Sequence, residues 1–212
     1  MIMFLYILEI IGTIAFAIGG SVLAIKNKMD ILGVIILGVI ASLGGGLIRD
    51  IVINSENIVL FSQPIYLLIS VLTSQIVFLI FYYSKRIDLF DNKYFNFILN
   101  IIDGIGLGVF VVIGAKAAIN VTDNLPLIVF SAFITGVGGG VIRDLLVNRI
   151  PNIFRKHVYA VAALIGIAVY LLCIHLELEI VGSLCCVIIV ALLRVISQHF
   201  KLSLPKVEVG EE

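Results

Sequence analysis

Two copies of one seven-residue pattern carry most of the chemistry in an otherwise apolar chain. Residues 44–50 read Gly44-Gly45-Gly46-Leu47-Ile48-Arg49-Asp50, and residues 138–144 read Gly138-Gly139-Gly140-Val141-Ile142-Arg143-Asp144. Each copy closes an apolar run long enough to cross a bilayer. An arginine or an aspartate at the centre of a membrane helix is unfavourable by about 2.5–3.5 kcal/mol on insertion scales. Each glycine is unfavourable by roughly 1 kcal/mol relative to alanine. The same unfavourable choice made at two matched places implies a use, and the residue types point to a polar path: charges to steer or hold an ion, and glycines beside it. Further candidates stand upstream of the two patterns: the acids Glu9 and Asp103, the aromatics Phe16 and Phe110, and Lys116.

The elements that must position these residues follow from composition. Of 212 residues 61% are apolar and 13% charged, with mean hydropathy +1.22, against about 45–50% and 25% in soluble domains. The chain reads as an all-α integral membrane protein, a single transmembrane domain over 1–212. A spanning helix needs about 20 apolar residues, and seven runs qualify: roughly 4–25, 31–53, 64–84, 97–119, 125–147, 157–175 and 178–198, with a polar tail over 199–212. No Lys or Arg precedes the first run and Lys26 and Lys28 follow it, the reverse of a signal peptide, so the first run stays as a helix. Eleven of the fourteen basic residues fall after the first, third, fifth and seventh runs, for example Lys26, Lys28, Lys85, Arg86, Lys93, Arg149, Arg155, Lys156 and Lys201. By the positive-inside rule the N-terminus faces out and the C-terminus lies in the cytoplasm. The exceptions, Arg49, Lys116 and Arg143, lie within or at the edge of runs.

A shift of 94 residues, the distance from Gly44 to Gly138, overlays more than the two patterns. Gly12 falls on Gly106, Phe16 on Phe110, Gly20 on Gly114, Asn54 on Asn148, and Glu9 on Asp103. Each unit holds three runs (about 4–84 and 97–175), so the second copy enters the membrane from the opposite side. The result is a 3+3 inverted repeat with an unpaired seventh helix, an arrangement that commonly places a substrate or ion path at the repeat interface.

Inverted topology assigns depths. Glu9, Arg49 and Asp50 lie toward the outer side; Asp103, Arg143 and Asp144 lie toward the cytoplasm. Because a buried charge needs a partner, Glu9 is expected to face Arg49 and Asp103 to face Arg143, either locking helices together or supporting a path. Two roles are open for the glycines. Small residues permit close helix contact, whereas three in succession favour a bend whose free carbonyls suit a cation; the bend is the expectation. Lys116 either snorkels to the interface or meets Asp50. Cys173, Cys185 and Cys186 lack paired spacing, and His157, His175 and His199 sit near helix ends, so no metal site and no cofactor are expected beyond a permeant potassium or sodium ion. There is no phosphate loop, no HExxH pair and no visible nucleophile–base set, so an enzyme is not expected. A net charge of zero gives no footing for nucleic acid.

The doubled GGGxxRD pattern in the second and fifth of 3+3+1 helices resembles the trimeric intracellular cation (TRIC) channel family, in its prokaryotic branch, over about residues 4–200. The resemblance implies a homotrimer in the bacterial inner membrane, with a potassium-permeable pore in each subunit between the repeats. In that frame Gly44, Gly45, Gly46, Gly138, Gly139 and Gly140 flank the pore. Glu9, Arg49, Asp50, Asp103, Lys116, Arg143 and Asp144 support or gate it, and Phe16 and Phe110 narrow it. Some bacterial relatives resemble small amino-acid (glycine) transporters, so secondary transport of glycine stands as the alternative.

Overall fold

The structure is a computed structural model that describes residues 2–55, 57–85, 87–155 and 158–200. Glu56, Arg86, Lys156, His157, Lys201, Lys206 and the polar tail beyond residue 200 lie outside the described residues. Seven helices are long and apolar enough to span a membrane: α1 (Ile2–Lys26), α2 (Ile31–Val52), α4 (Pro64–Ser84), α5 (Lys93–Ile119), α6 (Leu125–Leu146), α8 (Val158–His175) and α9 (Glu179–His199). Two single-turn helices that periodicity could not reveal, α3 (Val59–Ser62) and α7 (Asn152–Arg155), follow the two glycine patterns. The fourth span starts four residues before its expected bound, because the Asn92 side chain caps it by accepting from the Tyr94 and Phe95 N–H groups.

The repeat extends to helix ends. Asp30 caps α2 by accepting from Gly33 N–H at 2.8 Å, and Asn124, 94 residues on, caps α6 by accepting from Leu127 N–H at 3.2 Å. At the other end, Asn54 (φ 50°) and Asn148 (φ 55°) take the left-handed conformation that closes α2 and α6. The N–H groups of Ser55 and Arg149 then reach back to the carbonyls of Asp50 and Asp144, both at 2.9 Å, which is a Schellman closure with Asn in the usual glycine place. A hydrophobic tip could not hold that φ as readily.

Helices α1, α2 and α4 form one bundle and α5, α6 and α8 the other; the bundles meet where α2 crosses α6 and α1 crosses α5. Lipid tails give no hydrophobic drive for helix association, so small residues at the crossings do that work. A Cβ on Gly45 would overlap the carbonyl oxygen of Thr135, and one on Gly139 would overlap that of Ala41, its repeat equivalent. Gly20 and Gly114 seat α1 on α2 and α5 on α6 in the same manner. Both α2 and α6 run through their three glycines as continuous α-helices, so the expected bend is corrected: the triple serves a close crossing rather than a break. The symmetry fails at the last span. α4 packs on α1 and α2, but α8 packs mainly on α9, which lies between it and α5. A Cβ on Gly108 or Gly166 would overlap Val187 or Val190 of α9, and one on Gly104 would lie 3.2 Å from Ala191.

Candidate functional site

The Arg-Asp pair that ends each pattern is a closed unit in both copies. Arg49 Nε donates to Asp50 Oδ1 at 2.8 Å, with Nη2 at 2.6 Å, and Asp50 Oδ2 accepts the backbone N–H of Val59, the first residue of α3, at 2.8 Å. Arg143 Nε and Nη2 both lie 3.0 Å from Asp144 Oδ1, and Asp144 Oδ2 accepts the N–H of Asn152, the first residue of α7, at 3.0 Å. Each aspartate thus neutralises the arginine beside it and tethers the short helix after it. All four side chains are buried, so the charge compensation is obligatory.

The upstream acids behave differently from each other. Asp103 Oδ1 lies 3.7 Å from Arg143 Nη1, as expected, and its Oδ2 takes a shorter contact, 2.8 Å, from Arg194 Nη2. Glu9 is hydrogen-bonded to the Tyr66 hydroxyl, while Arg49 spends its bonds on Asp50. Glu9 and Arg49 line the same small hollow, but the expected close ion pair is absent among the described residues: Arg49 pairs with the adjacent Asp50, and α4 brings a hydroxyl to Glu9. Lys116 does not meet Asp50; its Nζ lies 2.8 Å from Glu179 Oε1 at the start of α9. Between the two charged clusters, Phe16 and Phe110 pack ring on ring, centroids 5.1 Å apart at 55°. Each ring covers the glycine equivalent to the other's: a Cβ on Gly106 would overlap the Phe16 ring, and one on Gly12 would lie 3.3 Å from the Phe110 ring.

Two hollows lie near the charged clusters, and Phe110 walls the smaller one. On the Arg143 side a vestibule of about 510 Å³ is lined by Gly19, Lys26, Asp103, Arg143, Arg149 and Arg194, among others. On the Arg49 side a cavity of only about 20 Å³ touches Glu9, Gly46, Arg49, Tyr66 and Phe110, and Val59 and Leu60 of α3 wall it. The two hollows thus differ greatly in size. Gly46, a third glycine, lines the smaller hollow; the nearest atoms to a Cβ on Gly46 and on its equivalent Gly140 are Arg49 Nη2 at 3.8 Å and Tyr159 Oη at 3.7 Å. Among the described residues no group of three His, Cys, Asp or Glu side chains could hold a metal ion.

Sequence reasoning missed Arg194, Asn100, Tyr66 and Tyr159. Arg194 donates to Asn100 Oδ1 at 2.7 Å, and its guanidinium carbon sits 4.4 Å over the Tyr159 ring. The available signal was its place four residues inside the last span. Nothing local marks the two tyrosines, which stand near the first turns of α4 and α8.

Comparison with known proteins agrees with this arrangement. A family model described as "Glycine transporter" matches residues 6–82 and again 100–175, segments that begin 94 positions apart. The UPF0126 inner membrane protein YadS of Escherichia coli K12 is 35% identical over 99% of both chains. The UPF0126 membrane protein YvgT of Bacillus subtilis is 39% identical over 76% of each. A solved prokaryotic TRIC channel in 0.5 M KCl superposes with a TM-score of 0.84 at 37% identity, covering 96% of this chain and 100% of that one. The chain is a multi-pass inner membrane protein of the UPF0126 family, built on the fold of the TRIC cation channels.

Proposed function

We propose that this protein is a passive channel for monovalent cations, chiefly potassium, with a path in each subunit running from the vestibule past Phe16 and Phe110 to the Arg49 side. The observation that carries the reading is the 510 Å³ polar vestibule lined from both repeats, by Gly19 and Lys26 of α1 and by Asp103 and Arg143 of the second copy. The fold supports it, being shared with solved TRIC cation channels along nearly the whole chain. On this reading the small cavity under α3 is a closed end of the path, and the ring pair is an apolar constriction. Dewetting of such a constriction is a recognised way to gate. The buried Arg-Asp units hold the walls, and the glycines let the walls approach each other.

The assembly is a homotrimer, as in the trimeric intracellular cation channel orthologue of Rhodobacter sphaeroides, which superposes at TM-score 0.82 and 25% identity. The vestibule faces the cytoplasm, because Lys26, Lys93 and Arg149 follow or begin helices at that end.

Glycine transport is the second reading, favoured by the description of the matching family model. Flux through the purified protein in liposomes, under imposed gradients of potassium or glycine, separates the two. Electrogenic potassium flux that does not saturate is expected. Saturable glycine uptake without potassium current overturns the channel.

A further inference from the structure

The unpaired helix contributes one charged side chain to the path, and that side chain breaks the symmetry between the two mouths. Arg194 of α9 is 5% exposed, yet it lines the vestibule. Its Nη2 binds Asp103 Oδ2 at 2.8 Å and Asn100 Oδ1 at 2.7 Å; its Nε has no partner. Asp103 already faces Arg143, whose own charge is met by Asp144 at 3.0 Å. Glu9, the repeat equivalent of Asp103, has no ion pair within 4 Å among the described residues and lies near the Tyr66 hydroxyl and Arg49. The charged lining of the vestibule therefore comprises Lys26, Arg143, Arg149 and Arg194 against Asp103 and Asp144. Four positive charges face two negative ones, an unfavourable entrance for a cation.

We propose that Arg194 is a conductance-limiting and selectivity-setting residue of the vestibule: by occupying Asp103 it removes the carboxylate that would otherwise attract cations, and it raises the electrostatic barrier at that mouth alone. This rests on the channel reading above. Removing one positive charge about 7 Å from a hydrated ion changes the local cation occupancy about two- to three-fold at a water-like dielectric. The change fades as the Debye length falls from about 10 Å at 0.1 M salt to about 3 Å at 1 M.

The test is single-channel recording of the full-length protein in planar bilayers, in about 50 mM and about 1 M KCl. Arg194→Gln keeps hydrogen-bonding capacity toward Asn100 and Asp103 while removing the charge. Asn100→Asp compensates Arg194 without deleting it and covers the case in which the first variant does not assemble. Both are expected to raise conductance about two- to three-fold at low salt. They should also raise potassium over chloride permeability, increase most the current of cations entering from the vestibule, and do little at high salt. Arg194→Lys should retain the wild-type salt dependence. Assembled variants that conduct as wild type at low salt overturn the proposal, as does an equal loss at both salts, which marks Arg194 as a structural clamp. Wild-type protein that passes no potassium current overturns the channel reading itself, and this proposal with it.

Discussion

Alanine placed at successive glycines of one triple should give opposite effects. At Gly139 the new Cβ would overlap the carbonyl oxygen of Ala41, a backbone atom on α2 that no rotamer change can move aside. At Gly140, one residue later, the nearest atoms are Tyr159 Oη at 3.7 Å and Arg143 Nη2 at 3.9 Å, ordinary contact distances. Gly139→Ala therefore forces α2 and α6 apart along their crossing, an overpacking penalty of about 1–3 kcal/mol or more. Gly140→Ala adds a methyl to open space and removes backbone freedom from the unfolded chain, a gain of about 0.5–1 kcal/mol. The pair Gly45→Ala and Gly46→Ala repeats the contrast on α2, against the Thr135 carbonyl and against Arg49 Nη2 at 3.8 Å. Thermal unfolding of the purified protein in detergent, followed by loss of the assembled species on size exclusion, reads the difference. At about 2–4 °C per kcal/mol for a chain of this size, Gly139→Ala should melt several degrees below wild type and Gly140→Ala at or above it. Equal destabilisation at both positions would mean that the triple acts as a hinge after all, and the crossing argument would be wrong.

Two further outcomes follow from the same geometry. Asp144→Ala strips Arg143 of its 3.0 Å partner and leaves the Asn152 N–H without an acceptor; breaking a buried pair from one side costs about 3–5 kcal/mol, so poor accumulation of assembled protein in the membrane is expected. Asp144→Asn, which keeps an acceptor, should accumulate better, and the reverse ranking would refute the tether. Asn148→Gly should leave thermal stability within about 1 kcal/mol of wild type, whereas Asn148→Val, forced to φ 55°, should lower it by about 1–3 kcal/mol; equal melting of the two would deny the left-handed closure its role.

Much of the fold was legible because a membrane imposes simple rules. Seven runs of about twenty apolar residues could become little else than spanning helices; their observed bounds lie within four residues of the expected ones, and the third matches at both ends. The 94-residue repeat was equally visible, since Gly12, Phe16, Gly20 and Asn54 recur with their spacing intact, and the structure gives each pair equivalent contacts. The Asp103–Arg143 contact followed from inverted topology, which puts both residues toward one side. Partner choice did not fully follow. Arg49 and Glu9 were matched by depth, yet among the described residues Arg49 pairs within 4 Å only with the adjacent Asp50, whereas Arg143 reaches both Asp144 and Asp103.

The sequence by itself determined the membrane class, the number of spans, the repeat and the residues at its centre, since these depend on local composition and on identity between copies. Tertiary structure alone decided what the glycines do, which partners Glu9 and Lys116 take, and which of the two hollows is the larger. Helix continuity through Gly44–Gly46 depends on the close approach of α6, and the Lys116–Glu179 and Arg194–Asp103 contacts depend on where α9 docks. That helix has no counterpart in the repeat, so no internal comparison could foretell its position. By packing against both α5 and α8 it brings a second arginine to Asp103, a contact with no counterpart at Glu9 among the described residues.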